Sequence, residues 1–126
     1  GKDVTLFFTF WGLNILRKPQ SRVKKGIIDK MFGLMMPKGT EKLTLSKMNM
    51  LGAGSLMMKW VMKQKNVSTL NELLTQAREA GIKFIACNMS MDVMGIKPEE
   101  LIDGVEIGGV AKYIEESSYS NSNLFI

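Results

Sequence analysis

Residues 68–87, STLNELLTQAREAGIKFIAC, spell out a helix, its stop signal and a strand in one continuous run. Thr69 stands three residues before Glu72, the spacing of a capping box, in which a hydroxyl and a carboxylate reciprocally satisfy amides at a helix start. Leu70, Leu73, Leu74 and Ala77 recur at helical spacing and give this helix one apolar face. Gly81 supplies the stop, because glycine adopts the left-handed conformation that terminates helices without penalty. Ile82-Lys83-Phe84-Ile85-Ala86 then reads as a buried strand, and Cys87 closes it at its C-terminal end. In open α/β sheets that edge is where sites are built, since its loops gather helix starts and free amides.

Upstream, residues 4–10 (VTLFFTF) form the continuous β-branched and aromatic run expected of a strand buried on both faces of a parallel sheet, and Trp11-Gly12 ends it. Pro19 interrupts any helix that starts at Leu13. Val23, Ile27, Met31, Leu34 and Met35 predict an amphipathic helix over 21–36 with a basic outer face. Pro37-Lys38-Gly39 marks a turn, and Leu43-Thr44-Leu45 a short extended piece. Leu56, Met57, Trp60 and Val61 share one helical face in a stretch dense in methionine; eight of the eleven methionines lie between Met31 and Met62. Methionine suits adaptable surfaces and equally fills irregular cores, so this segment reads either as a lid or docking surface or as core packing under a crossover.

Downstream, residues 88–95 open a short helix with Ser90 or Asp92 near its cap, and Pro98 starts another that Gly104 closes. Val105-Glu106-Ile107 is expected to be extended. Gly108-Gly109 leads into a helical stretch from Val110 to Glu116, and Leu124-Phe125-Ile126 reads as a last short strand after a polar turn. Strands alternating with helices predict an α/β layered fold with a mainly parallel sheet. The 126 residues, 45% of them hydrophobic, suit one domain over 1–126 with one core.

Composition excludes much chemistry. There is no histidine, which removes Ser-His-Asp and Cys-His catalysis, the imidazole shuttle and nearly every zinc site built on one thiolate. One cysteine cannot close a bridge within the chain, and a reducing, cytoplasmic setting is expected. No apolar run reaches the roughly eighteen residues of a membrane span, and the start lacks the pattern of a signal peptide. The net charge of +5 is unevenly placed: residues 1–65 hold 13 Lys and Arg against three acids, and residues 66–126 hold four against nine. A basic half joined to an acidic half points to a steered protein partner or an anionic membrane edge, or to a solvated basic face with no partner.

Cys87 carries the chemistry on offer. A thiol at a strand end before a helix start can be held as thiolate or persulfide by amides and the helix dipole. Cys87-Asn88-Met89-Ser90 has the spacing of a redox motif whose second thiol is a hydroxyl, which would let Ser90 donate to the sulfur. The same cysteine could equally be a small buried hydrophobe. Asp92 is the nearest carboxylate in sequence, a proton shuttle or simply a capping residue. Gly52-Ala53-Gly54-Ser55 lacks the third glycine and the preceding strand of a dinucleotide fingerprint, and no methionine repeat is sustained enough for a copper site. No cofactor, metal or nucleic acid is expected.

Three stretches, residues 6–18 (LFFTFWGLNILRK), 47–50 (KMNM) and 86–109 (ACNMSMDVMGIKPEELIDGVEIGG), resemble the DsrE/DsrF-like sulfurtransferase family, in particular its peroxiredoxin-like branch associated with CoA-disulfide reductases. The resemblance spans essentially the whole chain. It implies a three-layer α/β/α sandwich, oligomeric assembly, and a cysteine that accepts and passes on sulfane sulfur to a partner such as a TusA-like carrier. The family's reactive cysteine falls on Cys87, with Asn88, Ser90, Met91 and Asp92 as its loop. Its Thr-Phe-Trp-Gly turn falls on Thr9, Phe10, Trp11 and Gly12, which would form the opposite pocket wall if the two strands are neighbours; the plain structural reading is a tight turn with a buried indole. Family members begin with a further strand and helix, so the domain is expected to lack its leading unit. The expectation is thus a cytoplasmic persulfide carrier, with peripheral membrane association as an option; the alternative is a non-catalytic module that docks to a membrane or protein through its basic, Met-rich segment.

Overall fold

The computed structural model describes residues 2–19 and 53–126. The expected helix over 21–36, the turn at Pro37 and the extended piece at Leu43 lie outside the described residues.

Three strands form a parallel sheet in the order β1-β2-β3: β1 is Thr5–Phe8, β2 Lys83–Cys87 and β3 Val105–Gly108. Phe8 pairs with Ala86, and Cys87 pairs with Gly108. A 3-10 helix (Phe10–Leu16) follows β1; α1 (Ala53–Gln64) and α2 (Leu70–Glu79) precede β2; α3 (Asn88–Met94) and a 3-10 turn (Pro98–Glu100) lie between β2 and β3; α4 (Val110–Tyr119) follows β3. The α/β fold with a parallel sheet is the one expected.

Alternation along the strands sorts the two faces. Phe8, Phe84, Ala86 and Val105 point to the first, where they pack with Leu13 and Leu16 of the 3-10 helix, Leu74 and Ala77 of α2, and Met91 and Met94 of α3. Thr5, Phe7, Lys83, Ile85 and Cys87 point to the second, which α4 covers. The Phe7 and Tyr113 rings lie 5.3 Å apart, and Thr5 Oγ1 and Lys83 Nζ donate to Glu116 at 3.1 and 2.9 Å. Helices therefore lie on both faces of the sheet.

The run that opened the sequence reading folds as its chemistry demands. Thr69 Oγ1 accepts from the Glu72 amide at 3.3 Å, and the Thr69 amide donates to Glu72 Oε2 at 2.7 Å. Gly81, at φ +76°, ends α2 with its amide on Arg78 O and the Ile82 amide on Ala77 O, both at 3.0 Å, which satisfies two otherwise orphaned carbonyls.

Two expectations are corrected, and one open alternative is narrowed. Leu124, Phe125 and Ile126 form no strand: they are exposed and without a partner strand, and β-propensity alone does not hold an unpaired segment. The short helix after β2 is capped by neither Ser90 nor Asp92 but by Cys87, so the chain passes from strand to helix with no intervening residue. In α1 nothing is buried, and Leu56, Met57, Trp60 and Val61 face solvent, so this part of the Met-rich stretch does not fill the core. Among the described residues no helix is long and apolar enough to cross a membrane.

Candidate functional site

Cys87 is the last residue of the middle strand, the one free cysteine, and 4% exposed. Its strand position fixes the direction of its side chain: Ile85 and Cys87 share the face that α4 covers. On the β3 side its neighbour is Gly108, and a methyl group there would come within 3.0 Å of Cβ and Cγ of Lys112 and 3.2 Å of Cγ2 of Ile85. A methyl group on Gly109 would lie 3.1 Å from Asn88 Oδ1. The Gly108-Gly109 pair thus lets α4 and Asn88 close directly on the backbone beside the thiol. Sequence reading placed this dipeptide before a helix but not beside Cys87; the signal was there in two adjacent glycines at a strand end, where close backbone approach is their usual use.

On the other side lies the turn after β1. Phe8 pairs with Ala86, so Thr9, which continues the extended backbone, runs alongside Cys87. The strands of the two motifs are neighbours, and Thr9–Gly12 leaves β1 at the same edge of the sheet at which β2 ends in Cys87. Phe10 holds φ +40°, a region that side-chain-bearing residues rarely adopt, and the Gly12 amide closes the turn on Thr9 O at 2.9 Å. Phe10 and Trp11 are each 58% exposed. The indole is therefore not the buried one of the plain structural reading; it stands at the surface.

The residues that follow Cys87 divide between two environments. Asn88 is exposed, and its Oδ1 accepts from the Met89 amide at 2.8 Å. Ser90 and Met91 turn inward, Met91 into the first-face core, while Asp92 stays on the outer side of α3. No hydrogen bond joins Ser90 and Cys87, and the sulfur caps no amide of α3. The structure thus brings Cys87, Asn88 and Thr9–Gly12 to one edge and directs Met91 away into the core.

Beneath this edge lies a polar group that the sequence did not reveal. Arg17, 1% exposed, donates from Nη2 to Glu100 Oε1 at 2.9 Å and from Nη1 to Asn14 Oδ1 at 3.3 Å; Asn14 Nδ2 in turn donates to Trp11 O at 3.2 Å. Glu100 Oε2 accepts from the Lys97 amide at 2.8 Å. Arg17 and Glu100 are 83 residues apart, and nothing local in the sequence pairs them. Among the described residues no three His, Cys, Asp or Glu side chains come together as a metal site would require.

A family model described as the DsrE/DsrF/DrsH-like family matches residues 1–125. The chain is 50% identical over 125 residues to the uncharacterized protein YrkE of Bacillus subtilis (strain 168), a match covering 98% of this chain and 78% of that protein. It is 37% identical over 130 residues to the sulfur carrier protein DsrE2 of Allochromatium vinosum, covering 100% of this chain and 80% of that protein.

Proposed function

Because the chain belongs to the DsrE/DsrF/DrsH-like family, we propose that it serves in a sulfur relay, carrying sulfane sulfur as a persulfide on Cys87. The observation that carries this reading is position: the chain's one thiol ends the central strand, at the sheet edge where the Thr9–Gly12 turn and the Gly108-Gly109 pair converge. The Cys87 thiolate attacks the outer sulfur of a persulfide or polysulfide donor. A new S–S bond forms, the donor's S–S bond breaks, and the donor leaves as a thiolate, so no outside oxidant is needed. A second thiolate, on a partner such as a TusA-like carrier, then attacks the outer sulfur and restores the Cys87 thiolate.

Exchange requires contact between sulfurs, yet Cys87 is nearly covered at rest. Loading therefore involves a local displacement of the edge around it. The test is intact-mass spectrometry of native protein after incubation with polysulfide or thiosulfate. A gain of one sulfur, reversed by reductant and absent in Cys87→Ser, is expected. No gain with any donor would reject the carrier reading.

A second reading is favoured by α1, where exposed Leu56, Met57 and Trp60 share a helix with Lys59 and Lys63. Under it the chain is a non-catalytic module that docks through this helix, and Cys87 only packs. In that case Cys87→Ser changes neither partner binding nor the response to a sulfur donor, whereas Trp60→Ala weakens binding.

A further inference from the structure

The persulfide reading gives no work to a cleft between α2 and the segment that leaves the 3-10 helix. Its volume is about 100 Å³, several times the roughly 10–15 Å³ that one water needs. Ile15, Leu74 and Ile102 form apolar walls, and Arg17, Asn71 and Arg78 bring polar groups to them. Asn71, Leu74 and Arg78 are three and four residues apart, so a single stripe of α2 faces the cleft.

The charges here leave one cation over. Arg17 is balanced by Glu100 at 2.9 Å, and Lys18 faces Asp103 at 3.7 Å. Among the described residues no carboxylate pairs with Arg78, and none lines the cleft. An arginine in the last turn of a helix is favoured by the negative end of the helix alone. Arg78 does more than that: a methyl group on Gly104, in the turn after Ile102, would lie 3.8 Å from its Nη2, so the side chain reaches from α2 to the far wall.

Donors also outnumber acceptors. Arg17 is 1% exposed, and among the described residues its Nε has no hydrogen-bond partner. Buried polar groups are as a rule satisfied, so such a donor calls for an explanation. Thr75, also at the cleft, spends its hydroxyl on Asn71 O at 3.0 Å, which leaves the Asn71 side-chain amide and the Arg78 guanidinium as the exposed donors. A guanidinium fork matches paired oxygens of sulfate or phosphate, and apolar walls strengthen the attraction by excluding water.

We infer that this cleft binds a small inorganic oxyanion of the sulfate or phosphate class, held by Arg78 and Asn71 against the Arg17 guanidinium. Leu74 packs on the first face of the sheet, whereas Cys87 points to the second, so the site is separate from the thiol and does not depend on sulfur transfer.

Native protein is titrated calorimetrically with sulfate and, separately, with inorganic phosphate, each against chloride at the same ionic strength. A saturable isotherm that chloride does not give is expected with at least one of them. Arg78→Gln, at an exposed position whose fold is checked by thermal unfolding, should weaken that binding at least roughly tenfold, the effect of losing a charged hydrogen bond. Asn71→Ala should weaken it less. Lys112→Gln removes the same charge from the second face and should leave the affinity unchanged. Sulfate binding tighter than phosphate would assign the site to a sulfur oxyanion, and the reverse to phosphate; either upholds it. No saturable binding of either anion rejects the inference. Equal weakening by Arg78→Gln and Lys112→Gln also rejects it, because the anion would then be responding to net charge and not to the cleft.

Discussion

Two ion pairs of identical length, 2.9 Å, lie on opposite sides of this sheet, and they differ in nearly everything else. Arg17–Glu100 sits among the helices of the first face with both side chains fully inaccessible; Lys83–Glu116 spans from β2 to α4 on the second face with its side chains 41% and 23% exposed. Distance does not decide what such a pair does; the solvent it displaces does. In water-accessible surroundings two charges attract weakly and are screened by salt, whereas buried charges have lost their hydration and depend on their partners. The first pair therefore binds its neighbours into one arrangement, and the second fastens a helix to a sheet with bonds that solvent can replace.

The sharpest way to break this contrast is Glu100→Ala. Removing one partner of a buried pair leaves Arg17 uncompensated, with its Nε already lacking a partner, and is expected to cost about 3–5 kcal/mol. Urea unfolding followed by circular dichroism measures it. The replacement of both members, Arg17→Met with Glu100→Leu, should recover much of the loss; a double variant as unstable as Glu100→Ala would mean that the pair contributes net stability after all.

The same contrast explains what the sequence disclosed. The α2 helix, its Thr69 cap, the Gly81 stop and β2 are local devices, each written within a few residues, and all form as expected. So does the placement of Cys87 at a strand end. The Arg17–Glu100 pair is not local: an arginine next to Lys18 and a glutamate in a short acidic turn look like ordinary solvated charges until the chain brings them together. The failure at Leu124–Ile126 has the converse cause, since three apolar residues suggest a strand but a strand exists only with a neighbour to pair with. The cap of α3 was misplaced because Cys87 provides it through backbone conformation alone, with no side-chain bond for a sequence pattern to signal.

An intermediate effect probes how tightly the second face is built despite its exposed charges. Gly108→Ala places a methyl group 3.0 Å from Cβ and Cγ of Lys112 and 3.2 Å from Ile85 Cγ2, the first two fixed near the α4 backbone rather than at a flexible tip. Overpacking of this kind is expected to cost about 1–3 kcal/mol, measured by the same urea titration. A neutral substitution would show that α4 shifts freely on the sheet, and the second face would then be looser than its packing implies.

The smallest effect, and the one that isolates the exposed pair, is its response to pH. Hydrogen bonds from Lys83 first and then Lys112 hold the Glu116 carboxyl down to about 2 from its ordinary 4.5; burial pulls the other way, and a smaller contribution from Thr5 also lowers it. A carboxyl depressed in the folded state stabilises the fold above its unfolded value and loses that contribution as the pH falls from 4.5 toward 2. Lys83 and Lys112 are both raised above 10.5, chiefly by their bonds to Glu116 and Glu115, so their contributions are complete below that pH and fade as it rises beyond it. Glu116→Gln should therefore lower stability slightly at neutral pH and flatten its decline between pH 4.5 and 2, with both differences shrinking in high salt. An unchanged acid limb would place the acid sensitivity of the fold elsewhere. A loss that persists undiminished in salt would mean that the pair on the second face is shielded from solvent as effectively as the buried one, and the distinction between the two faces would no longer hold.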